Sequence, residues 1–280
     1  MPIQVDTPPR IEISPEEVLS LTTAIRNRYG LDFTNYEVKS LTRGLIRVIS
    51  KHQMKSMLDL WSAVLRDKDF FHQCIDDLTV NLTEMFRNPE FWIFLRDKIL
   101  IEEHFKFPVQ VWHAGCATGE EVYSLGILLK EKNWLFKVRQ LATDISEQAM
   151  DKAKEGRFSN QLLKKYSNSY QTFHPFGKLE KYYTPGEDTW QINDELRKRV
   201  KVQNQNLVTD PPPGKFDIIF CRNVMIYFDD SLKMKVLENF RECLKPGGWL
   251  IIGYYDMLPR PALEWFHLYD AKTRIYRKTK

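Results

Sequence analysis

Apolar residues recur at helical spacing from Ser14 to about Thr79, and no stretch in this region alternates as a strand does. Near its start, the string SPEE puts a serine, a proline and two acidic residues where a helix N-terminus favours them. A first helix is therefore predicted to begin directly after Ser14. We predict that residues 1–80 form an all-helical N-terminal domain.

From Val109 onward, short apolar runs alternate with amphipathic stretches. VQVWHA, EEVYSLGILLKEK, VRQLATDI and EQAMDKAKEG follow one another in a β-α-β-α pattern, which is typical of a parallel sheet covered by helices. Later strands are predicted at 201–204, 216–221 and 249–253, the last preceded by the turn sequence KPGG. The segment at about 182–203 has the turn residues and alternation of a small antiparallel insertion. Residues 81–280 are expected to form an α/β domain.

Composition narrows the class of protein. Of the 280 residues, 43% are apolar, which is enough for a core, yet no uncharged apolar run approaches the length of a membrane span. The N-terminus lacks a signal sequence, so we expect a cytoplasmic protein without membrane insertion. The scattered cysteines predict neither a metal site nor a disulfide. A net charge of +4 is too small to indicate nucleic acid.

Candidate chemistry begins at VQVWHAGCATGEEVYS, where Gly115 and Gly119 lie between a predicted strand and a predicted helix. Glycines there let a ligand approach the backbone, but the G-x-x-x-G form without a following Gly-Lys-Ser/Thr excludes a Walker-type phosphate loop. Glu120 and Glu121 at the helix start would repel a pyrophosphate and favour the cationic S-adenosylmethionine. We predict Glu121 as a ligand; the alternative is that both acids only complement the helix dipole.

Asp144 ends the next predicted strand, VRQLATDI. It would lie at the edge of the sheet where open α/β folds bind ligands, and its carboxylate can accept both ribose hydroxyls of the cofactor. The alternative is a helix N-cap ahead of Ser146 and Glu147.

Four segments, in order, closely resemble the chemotaxis receptor methyltransferase family, CheR. They are NLTEMFRNP at 81–89, TGEEVYS at 118–124, ATDI at 142–145 and FCRNVMIYF at 220–228, the last being the most specific. The resemblance is nearly full-length and implies a helical receptor-docking domain followed by a Rossmann-like class I methyltransferase domain with a β-subdomain. It implies transfer of the methyl group of S-adenosylmethionine to glutamate side-chain carboxylates of bacterial chemoreceptors.

The resemblance also implies which residues form the cofactor pocket. They are Asn81, Thr83, Arg87, Ala114, Gly115, Glu121, Asp144, Ile145, Asn206, Leu207, Arg222 and Asn223. Asn206 and Leu207 follow a predicted strand, which is the usual location for contacts to an adenine edge. The alternative for Asn206 is a simple turn.

Arg87 and Tyr227 are implied to lie beside the transferred methyl group. A glutamate acceptor, with a reference pKa near 4.3, is ionised at neutral pH and needs no general base. The arginine fork can orient this carboxylate, and the tyrosine hydroxyl can donate one hydrogen bond to it. The alternatives are a surface ion pair of Arg87 with Glu84 or Glu90, and a core-filling role for Tyr227.

A basic stripe recurs every four residues through YEVKSLTRGLIRVISKHQMK and is predicted to lie along one helix. It consists of Lys39, Arg43, Arg47, Lys51 and Lys55. An acidic helical bundle, such as the resemblance implies for the methylated receptor region, would complement it. The alternative is a solvated face, and nucleic acid ranks below both because base-reading aromatics are missing.

The sequence departs from the family pattern at two places, and the family's residue roles are not assigned there. Tyr254, Tyr255 and Asp256 stand where members commonly have His-Ser-Glu, which leaves the substrate side there undetermined. The hairpin around TPGEDTWQ is shorter than in members that bind a receptor's C-terminal pentapeptide, so we expect an enzyme that works without this tether. A monomer is the default expectation for its oligomeric state.

Two other functions remain open at this point. One is a methyltransferase of the same fold that acts on another protein or a small molecule. The other is a noncatalytic signalling scaffold that binds S-adenosylmethionine, although the intact Arg87, Asp144, Asn223 and Tyr227 argue against it.

Overall fold

The chain divides into two compact units, Met1–Val80 and Asn81–Lys280, of which a computed structural model describes residues 11–78 and 83–279. None of the helices in these described ranges combines the length and the apolar composition that crossing a bilayer requires. The four cysteines are buried and form no disulfide.

The first unit contains four helices joined by short loops in its described part. Its helices are α1 (Pro15–Tyr29), α2 (Val38–Lys51), α3 (Met57–Arg66) and α4 (Lys68–Leu78). As predicted, Ser14 is the N-cap of α1: its hydroxyl accepts from the Glu17 N–H at 3.2 Å, and its own N–H donates to the Glu17 carboxylate at 2.8 Å. Apolar faces of the four helices, including Ile25, Val48 and Leu60, form the core of this unit.

The second unit contains strands and helices in alternation. Its strands are β1 (Val109–Ala114), β2 (Val138–Asp144), β3 (Arg157–Ser159), β4 (Tyr183–Pro185), β5 (Thr189–Ile192), β6 (Val200–Asn204), β7 (Phe216–Cys221), β8 (Leu244–Ile252), β9 (Phe266–Asp270) and β10 (Ile275–Lys278). Its α-helices are α5 (Pro89–Phe94), α6 (Glu120–Glu131), α7 (Glu147–Glu155), α8 (Asn160–Phe173), α9 (Asp194–Arg197) and α10 (Asp230–Cys243). A π-helical turn (Leu95–Ile99) and four 3-10 turns (Glu102–His104, Leu179–Tyr182, Met225–Tyr227 and Arg260–Glu264) complete the elements.

Seven strands form the main sheet in the order β6-β2-β1-β7-β8-β10-β9. The first five are parallel, whereas β10 runs antiparallel to both β8 and β9. The chain leaves β1 toward β2 and β6, then returns to the other side of β1 with β7. This reversal beside β1 brings the carboxyl ends of neighbouring strands around one crevice.

Burial explains why the central strands are apolar almost throughout. Both β1 and β7 have neighbours on each side, and Trp112, Ile218 and Phe220 in them are at most 2% exposed. A strand covered on both faces cannot alternate apolar and polar residues, so the continuous runs VQVWHA and FDIIFC are what this position requires.

The predicted antiparallel insertion at 182–203 has the wrong limits. The small sheet has the order β3-β5-β4 and begins at Arg157, whereas β6 pairs in parallel with β2 in the main sheet. The three-residue β3 follows α7 directly and is too short to show a periodicity. Because β6 is an edge strand with partly exposed side chains, its alternation looks like that of a hairpin strand.

The KPGG sequence also has a different role from the one predicted. It lies inside β8, where Phe216 pairs with Leu244 and Ile218 already pairs with Trp249, so residues 245–248 bulge out opposite Asp217. The turn-forming residues do bend the backbone here, but within a strand rather than before one.

Candidate cofactor and active site

The carboxyl ends of the parallel strands bring most predicted pocket residues to one edge of the main sheet. Ala114 ends β1, Asp144 ends β2, and β7 is followed at once by Arg222 and Asn223. Gly115, Ile145, Asn206 and Leu207 lie in the loops that leave the same edge. This is the edge at which open α/β sheets bind their ligands.

Gly115 has a backbone conformation that explains why glycine is needed. Its φ is +78°, and a Cβ atom at this position would lie 2.4 Å from Cγ2 of Val224. The N–H groups of Gly115 and Cys116 both donate to the Thr143 carbonyl, at 2.9 and 3.0 Å. The loop is therefore held close to β2 and to the segment after β7.

Asp144 organises this loop through its carboxylate. Oδ2 accepts from the N–H of Ala117 at 2.9 Å, and Oδ1 accepts from the N–H of Ser146 at 3.1 Å. The alternative reading of Asp144 as the helix N-cap is wrong, because Ser146 caps α7 by accepting from Ala149 N–H at 2.9 Å. Asp144 lies beside the crevice and is 9% exposed.

Glu120 and Glu121, adjacent at the start of α6, have separate environments. Glu120 is buried and accepts hydrogen bonds from Thr118 at 2.6 Å and from the Tyr166 hydroxyl at 3.1 Å. Burial raises its pKa above the ordinary value despite these bonds. Glu120 is therefore held by specific side-chain hydrogen bonds, so complementing the helix dipole is not its only role.

Glu121 keeps 15% of its side chain exposed and contacts residues of two strand ends. One oxygen, Oε1, lies 2.9 Å from Nδ1 of His113, and the other, Oε2, accepts from Nη1 of Arg222 at 3.4 Å. Burial alone would raise the pKa of this carboxyl, but the two neighbours outweigh it and the pKa lies below the ordinary value. Glu121 is thus an anion at neutral pH.

Arg222 connects Glu121 to the turn that carries Arg87. Its side chain is only 4% exposed, and Nη2 donates to Oδ1 of Asn88 at 2.8 Å and to the Arg87 carbonyl at 3.4 Å. The guanidinium also lies 4.3 Å from the ring centroid of Phe91. Burial lowers the pKa of Arg222, and nearby Arg87 adds to this effect.

Replacing Arg222 by methionine should lower the free energy of unfolding by about 3 kcal/mol, because breaking a buried ion pair leaves one charge without compensation. Urea denaturation of the ligand-free protein measures this loss. In an Arg222→Met/Glu121→Gln double variant the loss should be clearly smaller than the sum of the two single changes. Additive losses would show that the pair does not act as a unit.

The turn at 86–88 holds Arg87 between two residues with left-handed backbones. Phe86 has a φ of +51° and Asn88 one of +58°. The Phe86 N–H donates to Ser124 Oγ at 2.8 Å, and the Arg87 carbonyl accepts from Trp92 Nε1 at 3.1 Å. The side chains of Ser124 and Trp92 therefore hold the backbone of this turn.

Three more residues named in the sequence analysis lie close to this turn along the chain. Thr83 is half-buried ahead of the turn, whereas Asn81 lies outside the described residues. Glu84, one alternative partner for Arg87, forms an ion pair with Lys165 at 2.5 Å.

The segment after β7 carries Asn223, with a φ of +60°, and the 3-10 turn that ends at Tyr227. Tyr227 is half-buried, whereas the adjacent Phe228 is 4% exposed and fills the core. Asp256, from the loop after β8, holds this segment: its Oδ2 accepts from the N–H of Asn223 at 2.8 Å and of Gly253 at 2.9 Å. Burial raises the pKa of Asp256.

Asn206 forms the turn that the alternative reading describes. Its Oδ1 accepts from the Val208 N–H at 2.9 Å, and its own N–H donates to Oδ2 of Asp210 at 2.8 Å. The Leu207 carbonyl accepts from Asn239 on α10 at 3.5 Å. These bonds fix the loop after β6 at the edge of the crevice.

The chemistry of this edge fits S-adenosylmethionine. The Glu121 carboxylate suits an ammonium group, the Asp144 carboxylate suits ribose hydroxyls, and the loop at Gly115 has no room for a side chain. The residues present therefore match the cationic cofactor that the sequence predicts.

Sequence reasoning missed three residues that shape the site. His113 contacts Glu121, and Asn88 contacts Arg222. The third residue, Asp256, holds the Asn223 backbone. The signal for His113 was a polar residue in the otherwise apolar end of β1, because a buried polar side chain needs a partner. Asp256 differs from the family pattern in sequence, but bonds from its carboxylate to backbone N–H groups cannot be predicted from residue types.

The basic stripe on the first unit is only partly helical. Lys55 lies beyond α2, which ends at Lys51, so the prediction of five residues along one helix is wrong. The interruption follows from the turn at 52–56 that leads into α3. All five side chains are exposed, but Arg47 donates to the Asp77 carbonyl at 3.2 Å and Lys51 forms an ion pair with Asp77 at 2.6 Å.

Comparison with known proteins matches both units to one family. The model of the CheR methyltransferase SAM binding domain matches residues 81–275, and that of the CheR methyltransferase all-alpha domain matches residues 16–79. A protein of Pseudomonas putida named methyltransferase Cher3 is 32% identical over 264 residues, covering 94% of this chain and 97% of that protein. Chemotaxis protein methyltransferase 1 of Vibrio cholerae is 31% identical, with 89% and 91% covered.

Proposed function

This chain belongs to the CheR methyltransferase family, and from that premise we propose that it methylates glutamate side-chain carboxylates of bacterial chemoreceptors. It is an S-adenosylmethionine-dependent methyltransferase. The product on the receptor would be a glutamate methyl ester, and its function would be adaptation of chemotactic signalling. We infer that the enzyme acts as a monomer in the cytoplasm.

The observation that best supports this proposal is the pairing of Glu121 and Arg222 beside the Arg87 turn. Arg222 contacts both the carboxylate that would bind the cofactor ammonium and the turn that would present Arg87 to the acceptor. Cofactor and acceptor sites would thus share one buried guanidinium. Such fixed geometry is what a methyl transfer between two bound groups requires.

In this reaction, the side chains of the site bind and orient the cofactor and the acceptor. S-adenosylmethionine supplies an electrophilic methyl group on its sulfonium sulfur. Glu121 would bind the ammonium group, Asp144 the ribose, and Asn206 with Leu207 the adenine edge. Arg87 would bind and orient the acceptor carboxylate, and the Tyr227 hydroxyl would donate a hydrogen bond to it. Since the acceptor is already ionised at neutral pH, no residue needs to remove a proton.

A labelling experiment tests the proposed function directly. Purified protein is incubated with S-adenosylmethionine labelled in the methyl group and with membranes that contain chemoreceptors. Label on the receptor that mild base releases as methanol is the expected result, because carboxyl methyl esters are base-labile. Labelling that resists base, or none despite binding of the cofactor, contradicts the proposal.

The exposed part of the basic stripe is the proposed receptor contact. Among the described side chains, Lys39 and Arg43 form no salt bridge within 4 Å, whereas Lys51 is already paired with Asp77. Reversing the first two charges should raise KM for the receptor several-fold at low salt, and the difference should shrink as salt screens it. Arg28→Glu, an equally exposed change on α1, is the matched control and should leave KM unchanged. Equal effects of both would favour a merely solvated face.

We further propose that the enzyme does not need a receptor pentapeptide. Only residues 186–188 connect β4 and β5, and the Gly186 N–H donates to the Thr189 carbonyl, so the hairpin is tight. A peptide would have little loop to contact there. Calorimetry with a receptor-tail peptide should show no binding at micromolar concentrations, and micromolar affinity would overturn this proposal.

The second candidate acceptor is a carboxylate on another protein. The Pseudomonas putida relative is named as a methyltransferase without a chemotaxis acceptor, and Tyr254-Tyr255-Asp256 departs from the family pattern near the proposed acceptor side. Another protein carboxylate would then be the substrate. Base-labile label on a soluble protein, with none on receptors, would support it.

A further inference from the structure

His113 is a buried histidine that no proposed step of the reaction uses. It lies in β1 one residue before Ala114 and is fully buried. Nδ1 is 2.9 Å from Glu121 Oε1, and Nε2 is 3.2 Å from Oε1 of Gln140 on β2. The ring stacks on Phe220 with centroids 4.7 Å apart and an interplanar angle of 18°. Contacts on three sides hold the imidazole in one orientation.

The direction of the hydrogen bond to Glu121 follows from its partner. The pKa of Glu121 lies below its ordinary value, so the carboxylate is ionised at neutral pH and can only accept. Nδ1 of His113 must therefore carry the hydrogen. This holds whichever way the amide of Gln140 faces, because that amide contacts the other ring nitrogen.

We propose that His113 is a positioning residue for cofactor binding, which acts by fixing the Glu121 carboxylate in its ammonium-binding orientation. The inference rests on the proposed role of Glu121. His113 holds Oε1 from the sheet and Arg222 holds Oε2 from the segment after β7, so the carboxylate plane is set by two elements. A carboxylate accepts about four hydrogen bonds, which leaves acceptor directions for the ammonium group.

The long contact to Arg222 explains why a second partner matters. At 3.4 Å, the Arg222–Glu121 contact is looser than the charge-assisted bonds of about 2.7–2.9 Å that such groups form. Without the His113 bond, the carboxylate is free to turn toward the guanidinium and close this gap. The carboxylate would then pair more closely with Arg222 and would interact less strongly with the ammonium group of the cofactor.

Calorimetric titration with S-adenosylmethionine tests the inference in four variants and the wild type. His113→Leu removes the donor at similar size and should weaken binding about 10-fold, a loss of about 1.4 kcal/mol. His113→Asn, whose amide N–H can approach the position of Nδ1, should stay within about 3-fold of wild type. In a Glu121→Gln background, adding His113→Leu should change affinity by less than about 2-fold, because the two residues act through one contact.

Different outcomes separate this inference from the function on which it rests. If Glu121→Gln weakens binding and His113→Leu does not, His113 has no positioning role. If Glu121→Gln binds like the wild type, the proposed role of Glu121 is the one that fails. Should His113→Leu not fold, His113→Gln replaces it, since its longer amide reaches toward Gln140 instead of Glu121. Equal affinities of the Asn and Gln variants would then overturn the inference.

Discussion

Replacing Arg87 by alanine should lower kcat for receptor methylation by about 100-fold, because an acceptor displaced by about 1 Å loses activity on that scale. The variant should still fold, and its 86–88 turn should keep its conformation. The contacts that fix the 86–88 turn involve the Arg87 carbonyl and the Phe86 N–H, and neither depends on the Arg87 side chain. Initial rates of base-labile labelling, together with thermal unfolding, measure the two quantities separately.

Arg87→Lys is the informative companion variant. Lysine keeps the positive charge but lacks the planar fork that binds both carboxylate oxygens. We expect its activity to lie between those of the alanine variant and the wild type. If alanine and wild type are equally active, Arg87 does not orient the acceptor, and the ion-pair alternative with Glu90 gains support.

Gly115→Ala should have the second large effect. A φ of +78° disfavours a side chain by about 1–2 kcal/mol, and overpacking against Val224 costs about 1–3 kcal/mol more. The free energy of unfolding should fall accordingly, and the displaced loop should lose most of its affinity for S-adenosylmethionine. Urea denaturation and calorimetry measure these losses.

Two further substitutions separate the causes of that effect. Gly30 has a similar φ of +74° but nothing within 4 Å of a new Cβ, so Gly30→Ala shows the backbone strain alone. Adding Val224→Ala to Gly115→Ala removes the 2.4 Å clash and should restore part of the stability. If this double variant is no more stable than Gly115→Ala, the clash is not the cause.

Long periodic elements of this fold could be predicted from the sequence because each pattern reflects one local environment. The cap of α1 and the buried strands β1 and β7 follow from residues within a few positions of one another. The limits of β8 and of the small sheet could not be predicted. KPGG favours any sharp bend, and only the pairing of Phe216 with Leu244 makes it a bulge.

The candidate site shows the same division between local and long-range information. The position of Asp144 at a strand end was predictable, because strand ends meet at one edge of a parallel sheet. The contacts of Glu121 were not, since His113 lies on a strand and Arg222 follows another strand that is far along the chain. The spacing of residues along the sequence does not predict which side chains from different strands come into contact in the site.

Asp256 has a thermodynamic consequence for ligand binding. One carboxylate oxygen holds the Asn223 and Gly253 backbones, so the loops after β7 and β8 share a fixed conformation in the ligand-free chain. Loops that are ordered on arrival of a ligand lose conformational entropy at that moment and weaken the affinity. Here that entropy is lost during folding. The crevice is preorganised on this side, and a ligand that binds there loses less affinity to the ordering of these loops.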